Sequence, residues 1–276
     1  MQPIIEVAAG VPFVALPPAE RSEDAASLVV VWHMTDAPRS ERAMAAALPL
    51  NGLRAWRVYL GLPLCGSRLP VGGLDEFFRL GYEDAVLNLF EPMNRQAVDE
   101  FPPALADLRE RLAVEDGPVA LVGASAGAFV AQSVLAETDI PVRAVALISP
   151  AIPLSSVVAA KERRFGMTYK WRGDAVRAAE TLDFVARSDE IARRGVDVLL
   201  ALGALDDEDG FHAPARQLWQ ALSDARRRSG GADLIEIPGM GHALAEEPGL
   251  DPAPQTPHAL RVDAAVTDWL ARRLGT

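Results

Sequence analysis

The chain has 276 residues, of which 50% are hydrophobic and 24% are charged, so it is long enough to bury a large core in one domain. Its formal net charge of −11 disfavours phosphate backbones and anionic lipid headgroups, so we expect neither nucleic acid nor a membrane as a partner. Cys65 is the single cysteine, which excludes an internal disulfide and a cysteine-based metal site.

The N-terminal part of the chain begins with "MQPIIEVAAGVPF", which carries Glu6 and no basic residue ahead of its apolar run. This pattern argues against a secretory signal and predicts a cytoplasmic protein. The elements predicted next are an antiparallel pair meeting at Gly10 ("IIEVAAG" and "VPFVALP"), a buried strand ("SLVVVWH"), a helix ("SERAMAAALPL") and a strand ("AWRVYLGLP"). The segment from Leu64 to Met93 contains several Gly and Pro residues, so we expect it to be irregular and to lie over one end of the sheet.

Strands and helices alternate through the rest of the chain. The predicted elements are the helix "NRQAVDEFPPALADLRERLAVE", the strand "PVALVGAS", the helix "AGAFVAQSVLAE", the strands "VRAVALISP" and "VDVLLALGALD", the helix "PARQLWQALSDARRR", the strand "ADLIEIPG" and the helix "HALRVDAAVTDWLARRL". Their alternation predicts an α/β fold, a mostly parallel sheet with helices on both faces. About 45 residues separate two strands between Ala151 and Gly195, far more than a simple crossover needs. We therefore predict a core of residues 1–150 and 196–276 with a small helical cap at 151–195.

The stretch "VALVGASAGAFV", residues 119–130, contains no charge. Extended to Ala136, the stretch has no flanking basic residues and contains several small or polar residues, which argues against a membrane span: Gly123, Ser125, Gly127, Gln132 and Ser133. Instead, residues 123–127 form the pattern G-x-S-x-G at a strand-to-helix junction, which favours Ser125 as a nucleophile on a strained turn. The amide of Ala126 would then lie at a helix N-terminus, where it can stabilise an oxyanion. The alternative is a turn of small residues that only permits tight packing.

A serine hydroxyl needs a base, normally a histidine oriented by a carboxylate. The chain has four histidines, and His242 lies in the glycine-hinged loop "IPGMGHALAEE" after the last predicted strand. The other three are His33, His212 and His258, for which a packing or solvent-facing role is favoured. The loop "LLALGALDDEDG" offers the acid, and Asp206 is the first carboxylate past its strand, with Asp207 and Asp209 as the other candidates.

The order of serine, acid and histidine, and the elements that carry them, make the chain resemble the α/β-hydrolases from about Ser27 to Leu274. The resemblance implies an α/β-hydrolase fold with Ser125 as nucleophile, Asp206 as acid and His242 as base. It also implies a second oxyanion donor just after an early strand, often in a His-Gly pair. In "WHMTDAP" His33 matches the first position, so it joins the substrate-binding candidates, and Met34 replaces the glycine while its amide can still donate. The "HGGG" run of some esterases and lipases is absent, so small esterases and dienelactone-hydrolase-like enzymes are the nearer resemblance.

The predicted cap contains the segment "KERRFGMTYKWRGD", which reverses the acidic balance of the chain. Its cations are Lys161, Arg163, Arg164, Lys170 and Arg172. One interpretation is a lid whose aromatic residues Phe165, Tyr169 and Trp171 bind an apolar acyl group and whose cations attract an anionic substrate. The other is an amphipathic cap with its basic face in water and its aromatic residues packed as core. Phe77 and Phe78 are candidates for the opposite rim, where core packing is an equal explanation.

Together these features predict a serine hydrolase that cleaves a carboxylic ester or thioester of a small molecule through an acyl-enzyme. The alternatives are a non-catalytic ligand-binding protein of the same fold, a carbon–carbon bond hydrolase and an acyltransferase. The sequence lacks a Walker A loop, a G-x-G-x-x-G that opens a first crossover and an H-E-x-x-H pattern, so we expect no nucleotide cofactor and no metal. The expected partner is a small acyl substrate, and self-association as a homo-oligomer is left open.

Overall fold

The computed structural model describes residues 2–19, 26–225 and 231–275. Within these residues, eight strands form one sheet in the order β1-β2-β4-β3-β5-β6-β7-β8. They are β1 Ile4–Ala8, β2 Val11–Leu16, β3 Ser27–Trp32, β4 Ala55–Leu60, β5 Val119–Ala124, β6 Val142–Ile148, β7 Asp197–Gly203 and β8 Ala232–Ile237. The first two strands pair antiparallel with their neighbours and the others run parallel, so the predicted mostly parallel sheet is confirmed.

Helices cover both faces of this sheet. They are α1 Glu41–Ala47, α2 Gly73–Asp84, α3 Glu91–Arg111, α4 Ala126–Glu137, α5 Leu154–Phe165, α6 Gly173–Thr181, α7 Ser188–Arg193, α8 Ala213–Ala225 and α9 Pro257–Leu274. The segments Ala85–Phe90 and Glu208–His212 form π-helical turns, and Gly66–Arg68 is a short 3₁₀ turn. The predicted end of the helix at α8 lies in residues 226–228, outside the described residues.

The core lies on both faces of the sheet because side chains alternate along each strand. In β3, Val30 packs on the face covered by α3 and α4, while Val29 and Val31 pack on the face covered by α1 and α9. Every residue of β3, β4 and β5 is buried. No helix of the described residues combines the length and the apolar character that crossing a membrane requires.

The prediction of an irregular segment from Leu64 to Met93 is wrong. Helix α2 begins after Gly72, whose φ of 109° permits the turn that precedes it. The Asp84 side chain accepts from the amides of Val86 and Leu87, at 3.1 and 2.9 Å, and so caps the π-helical turn that follows. The glycine content of this segment indicated a loop, but Gly72 and Gly73 lie at the start of α2 and Gly81 lies within it.

The predicted cap, residues 151–195, holds three helices in two environments. α5 contacts both π-helical turns and α6 contacts the first of them. α7 packs against α4 and α8, within the layer that covers the sheet. α5 therefore lies beside both the segment that follows β4 and the loop that follows β7.

Candidate active site

The turn between β5 and α4 holds Ser125 in a strained conformation, with φ 47° and ψ −114°. A Cβ atom on Gly123 would lie 2.5 Å from the carbonyl oxygen of Gly127, and one on Gly127 would lie 2.5 Å from that of Trp32. Both positions therefore require glycine. The Ser125 amide donates to the Ile148 carbonyl at 2.9 Å, which fixes the turn to the neighbouring strand.

A continuous chain of hydrogen bonds joins the predicted nucleophile, base and acid. The Ser125 hydroxyl donates to His242 Nε2 at 2.8 Å, and His242 Nδ1 donates to Asp206 Oδ2 at 2.7 Å. Because an ionised carboxylate can only accept, Nδ1 carries the imidazole proton and Nε2 is free to act as a base. The side chains of His242 and Asp206 are 16% and 3% exposed, so water reaches this chain mainly from the histidine side.

The geometry selects Asp206 from the three candidate acids. Its second carboxylate oxygen accepts from the Asp207 amide at 2.8 Å, so both oxygens are held. Asp207 turns to α5 instead and pairs with Arg163 at 2.6 Å. Burial raises the pKa of Asp207, but hydrogen bonds from Arg163 and the Gly210 amide lower it by more. The pKa of Asp207 therefore lies below its usual value. Asp209 is exposed.

Backbone contacts hold the acid loop against the histidine loop. The Leu205 amide donates to the Met240 carbonyl at 2.8 Å. The Phe211 ring packs on His242 with 4.2 Å between ring centroids. His212 is buried, and its Nε2 donates to the Gly203 carbonyl at 2.7 Å, immediately before the acid loop. These contacts fix the distance between Asp206 and His242.

The two backbone amides predicted as oxyanion donors differ in whether they already make a hydrogen bond. The Ala126 amide begins α4 and has no hydrogen-bond acceptor within the part of the chain that the structure describes. The Met34 amide donates to the Pro38 carbonyl at 3.3 Å. Ala126 is therefore free to receive developing negative charge. Met34 would first have to exchange or share its present bond, which a sequence motif does not reveal.

His33 lies in the core rather than in contact with a ligand space. It is fully buried, with Nδ1 donating to the Met34 carbonyl at 2.8 Å and Nε2 accepting from the Leu62 amide at 3.1 Å. Both ring nitrogens are occupied, so this placement contradicts the predicted substrate contact. The ring instead holds the backbone around Met34 in place. Burial lowers the pKa of His33 to about 4, against a weaker raising effect of its bond to Met34.

We expect His33 to make the folded state less stable as the pH falls from about 6.5 to about 4. An unfolded histidine titrates near 6.5, so in this window the unfolded chain binds more protons than the folded one. The contribution of neutral His33 to the free energy of unfolding is fully present above this window. It is lost within the window, by about 3 kcal/mol at pH 4. Urea unfolding at several pH values should show a steeper loss of stability for the wild type than for His33→Gln. His258→Gln, which removes a half-buried histidine and keeps His33, is the control and should follow the wild type; equal slopes for the wild type and His33→Gln would contradict the prediction.

A cleft of about 670 Å³ lies between α2, the first π-helical turn, α5 and the segment that follows α5. Of the predicted aromatic residues, Phe165 and Tyr169 line it, as do Phe77 and Phe78 on the opposite rim. Trp171 does not line the cleft but packs edge-on against Tyr169, with 4.8 Å between ring centroids. The aromatic prediction thus divides into residues that face the cleft and one that supports them.

Asp36 connects this cleft to the triad and was not predicted from the sequence. It lines the cleft two residues after Met34, and its carboxylate is within electrostatic range of His242. Burial raises the pKa of Asp36, but electrostatic interactions with nearby basic side chains outweigh this effect and bring the pKa below its usual value. These side chains are Lys161, His242, Arg39 and Arg164. Its position after β3 is a signal that could have been used, because polar residues at the carboxyl ends of parallel strands meet at one edge.

An ion pair between buried Arg39 and exposed Glu247 joins the loop before α1 to the loop after His242. Arg39 is 7% exposed, binds both carboxylate oxygens of Glu247 at 2.7 Å and donates to the Pro248 carbonyl at 3.0 Å. The partners are 208 residues apart, so no local pattern indicates this pair. Arg39 and Glu247 both line the cleft.

A second cavity, of about 500 Å³, lies between α3 and α6. Asn94 and Arg177 are among its lining residues. None of the predicted site residues lines it, so we place the candidate active site at the first cleft and the triad.

Comparison with known proteins gives structural matches alone. No protein-family model matches the chain, and no curated protein matches it. Est1E from Butyrivibrio proteoclasticus is similar in structure, with 16% sequence identity, a TM-score of 0.60 and coverage of 99% of both chains. Carboxyl esterase 2 from Tuber melanosporum has 16% identity and a TM-score of 0.62, covering 99% of this chain and 87% of that one.

A puromycin-hydrolyzing peptidase from Mycobacterium tuberculosis is also similar, with 17% identity and a TM-score of 0.65. The match covers 99% of this chain but 40% of the peptidase, so the chain spans less than half of that protein. At these identities the likeness concerns the fold, and that fold carries more than one activity.

Proposed function

We propose that this chain, which has the α/β-hydrolase fold, is a serine hydrolase that cleaves a carboxylic ester of a small molecule through an acyl-enzyme. The observation that carries the proposal is the hydrogen-bonded chain Ser125, His242 and Asp206 beside an unoccupied backbone amide at Ala126. Acyl transfer uses all three features of this site: a strained serine, a histidine base held in one tautomer and a backbone amide that is free to donate. Packing alone requires none of them.

In the proposed mechanism, His242 Nε2 takes the hydroxyl proton of Ser125 as the oxygen attacks the acyl carbonyl carbon. Asp206 holds the imidazole and stabilises its protonated form. The amide of Ala126 receives the oxyanion, and that of Met34 joins it after releasing the Pro38 carbonyl. The protonated imidazole then passes its proton to the leaving alcohol oxygen, and a water molecule repeats these steps to release the acid.

The size and lining of the cleft support an acyl substrate of moderate size. A volume of about 670 Å³ with aromatic walls suits a small molecule with an apolar part. The match to Est1E covers 99% of that chain, whereas the match to the peptidase covers 40%. The match to carboxyl esterase 2, which covers 87% of that chain, favours an ester as the proposed substrate.

A fluorophosphonate probe tests the proposal directly, since it forms a covalent bond only with an activated serine. We expect the probe to label the wild type on the peptide that contains Ser125, and to leave Ser125→Ala unlabelled. Ser149→Ala is the matched control, because Ser149 is also a buried serine with positive φ, at 40°, and should leave labelling intact. Wild-type protein that stays unlabelled, while a known serine hydrolase in the same tube is labelled, would favour a non-catalytic binding protein.

A further inference from the structure

The Lys161 ammonium faces the cleft without a contacting anion. Lys161 lines the cleft beside the Phe90 ring, with Nζ 5.8 Å from the ring centroid. No carboxylate oxygen of a described residue lies within 4.0 Å of it. The arginines around it all have carboxylate partners: Arg39 with Glu247 at 2.7 Å, Arg163 with Asp207 at 2.6 Å and Arg164 with Asp36 at 3.7 Å. Three N–H donors on Lys161 therefore remain available.

The pKa of Lys161 lies below its usual value because of burial and of the charges around it. Burial lowers the pKa of Lys161, and Arg164 and Arg39 lower it further, whereas Asp36 raises it. Asp36 is thus near enough to favour the ammonium form but is itself paired with Arg164. The Lys161 side chain is half-buried, and a ligand anion in the cleft could make the charged hydrogen bond that no described carboxylate makes with it.

The charge balance of the cleft favours an anion with a single charge. Its lining contains three basic residues, Arg39, Lys161 and Arg164, and three acidic ones, Asp36, Glu162 and Glu247. Glu162 accepts from the Tyr169 backbone amide, and its carboxylate makes no ion pair with Lys161 in the structure. Because these six charges cancel, a bound carboxylate leaves one net negative charge and a phosphate dianion leaves two, so the monoanion is the better fit.

The walls next to Lys161 are apolar. Phe77, Leu89, Phe90 and Val158 line the same cleft. A ligand that fits both features has an apolar chain with an anionic end. The three triad residues are not among the residues that line the cleft, but the carboxylate of Asp36, which does line it, is within electrostatic range of both His242 and Lys161.

We propose that the substrate is a half-ester of a dicarboxylic acid, with its free carboxylate bound by Lys161 and its ester carbonyl presented to Ser125. This inference rests on the proposed function, since it names the substrate class of the same site. Lys161 binds substrate here and takes no part in bond breaking.

The test compares two para-nitrophenyl esters of equal length. One is the half-ester of adipic acid, and in the other a neutral branched end replaces the carboxylate. We expect the wild type to prefer the half-ester, and Lys161→Met to lower the ratio of the two kcat/KM values by about 10- to 100-fold, as loss of a charged hydrogen bond does. Lys170→Met is the matched control, because Lys170 is an exposed lysine of the same segment, and it should keep the ratio within about twofold of wild type.

Three outcomes would overturn the inference: equal losses for both esters in Lys161→Met, an equal effect of Lys170→Met, or a preference for an ester that ends in phosphate. A binding measurement separates it from failure of the proposed function. If neither ester is cleaved and the fluorophosphonate probe leaves Ser125 unlabelled, the proposed function fails. Calorimetry of the monomethyl adipate anion with Ser125→Ala then tests the site alone: a Kd at least about tenfold weaker after adding Lys161→Met supports the site, and an unchanged Kd overturns it.

Discussion

Ser125→Ala is expected to lower kcat for an activated ester by about 10⁴-fold or more. The substitution removes the atom that forms the acyl-enzyme, while the Ala126 amide and the cleft remain to give a small residual rate. The Ser125 hydroxyl makes one side-chain hydrogen bond, to His242, and its strained backbone is held by the Ile148 carbonyl in either variant. The measurement is steady-state hydrolysis of a para-nitrophenyl ester, with KM determined separately from kcat.

The fold of Ser125→Ala has to be shown to be intact for this loss to concern chemistry. Thermal unfolding of the variant should therefore be compared with that of the wild type. Ser149→Ala serves as the matched variant, since Ser149 is buried, has positive φ and its hydroxyl has no hydrogen-bond partner within the described residues. Activity of Ser125→Ala near the wild-type level would place the reaction at another group and end the serine-hydrolase proposal.

The triad could be anticipated from the sequence because each member is set by a local pattern. Glycines at 123 and 127 allow the close approach of β5, α4 and β3, and a serine between them has to project from the turn. His242 and Asp206 follow parallel strands, and the carboxyl ends of such strands meet at one edge of a sheet. The hydrogen-bonded arrangement of these three residues therefore follows from the order of the strands, which an alternating pattern of apolar runs indicates.

The surroundings of the triad could not be anticipated, because they depend on contacts between distant segments. Arg39 pairs with Glu247 across 208 residues, and nothing near either residue indicates the other. The Met34 amide is occupied by the carbonyl of Pro38, four residues later, a bond set by the path of the loop. The burial of His33 likewise follows from packing against Leu62 rather than from its place in a motif.

The cleft also could not be predicted from the sequence, because its walls come from distant segments. The segment that was expected to be irregular forms α2 and a π-helical turn, which supply Phe77 and Phe90 to the cleft. The basic segment of the predicted cap supplies the facing wall, with Lys161 and Tyr169. The composition indicated that aromatic and cationic residues lie near the site. Which of the cations pair with a carboxylate and which do not could be seen only in the structure.

Asp206→Asn is expected to lower kcat by about 10⁴-fold while leaving the fold and substrate binding nearly unchanged. An asparagine amide at this position can donate to His242 Nδ1, which turns Nδ1 into an acceptor and moves the ring proton to Nε2. That nitrogen then donates toward Ser125 and cannot take its proton, so the base is lost although the distances of 2.7 and 2.8 Å persist. The measurement is kcat against KM for one ester, where the loss should fall on kcat.

The control for this prediction is Asp209→Asn, an equal change of charge and shape three residues along the same loop. Asp209 is exposed, whereas Asp206 gives one carboxylate oxygen to His242 and the other to the Asp207 amide. Long-range electrostatics would make the two variants alike, since both remove one negative charge near His242. A specific role for the Asp206 carboxylate makes them differ by about four orders of magnitude in kcat. Equal and small effects would assign the orientation of His242 to the packing of Phe211 and the loop backbone instead.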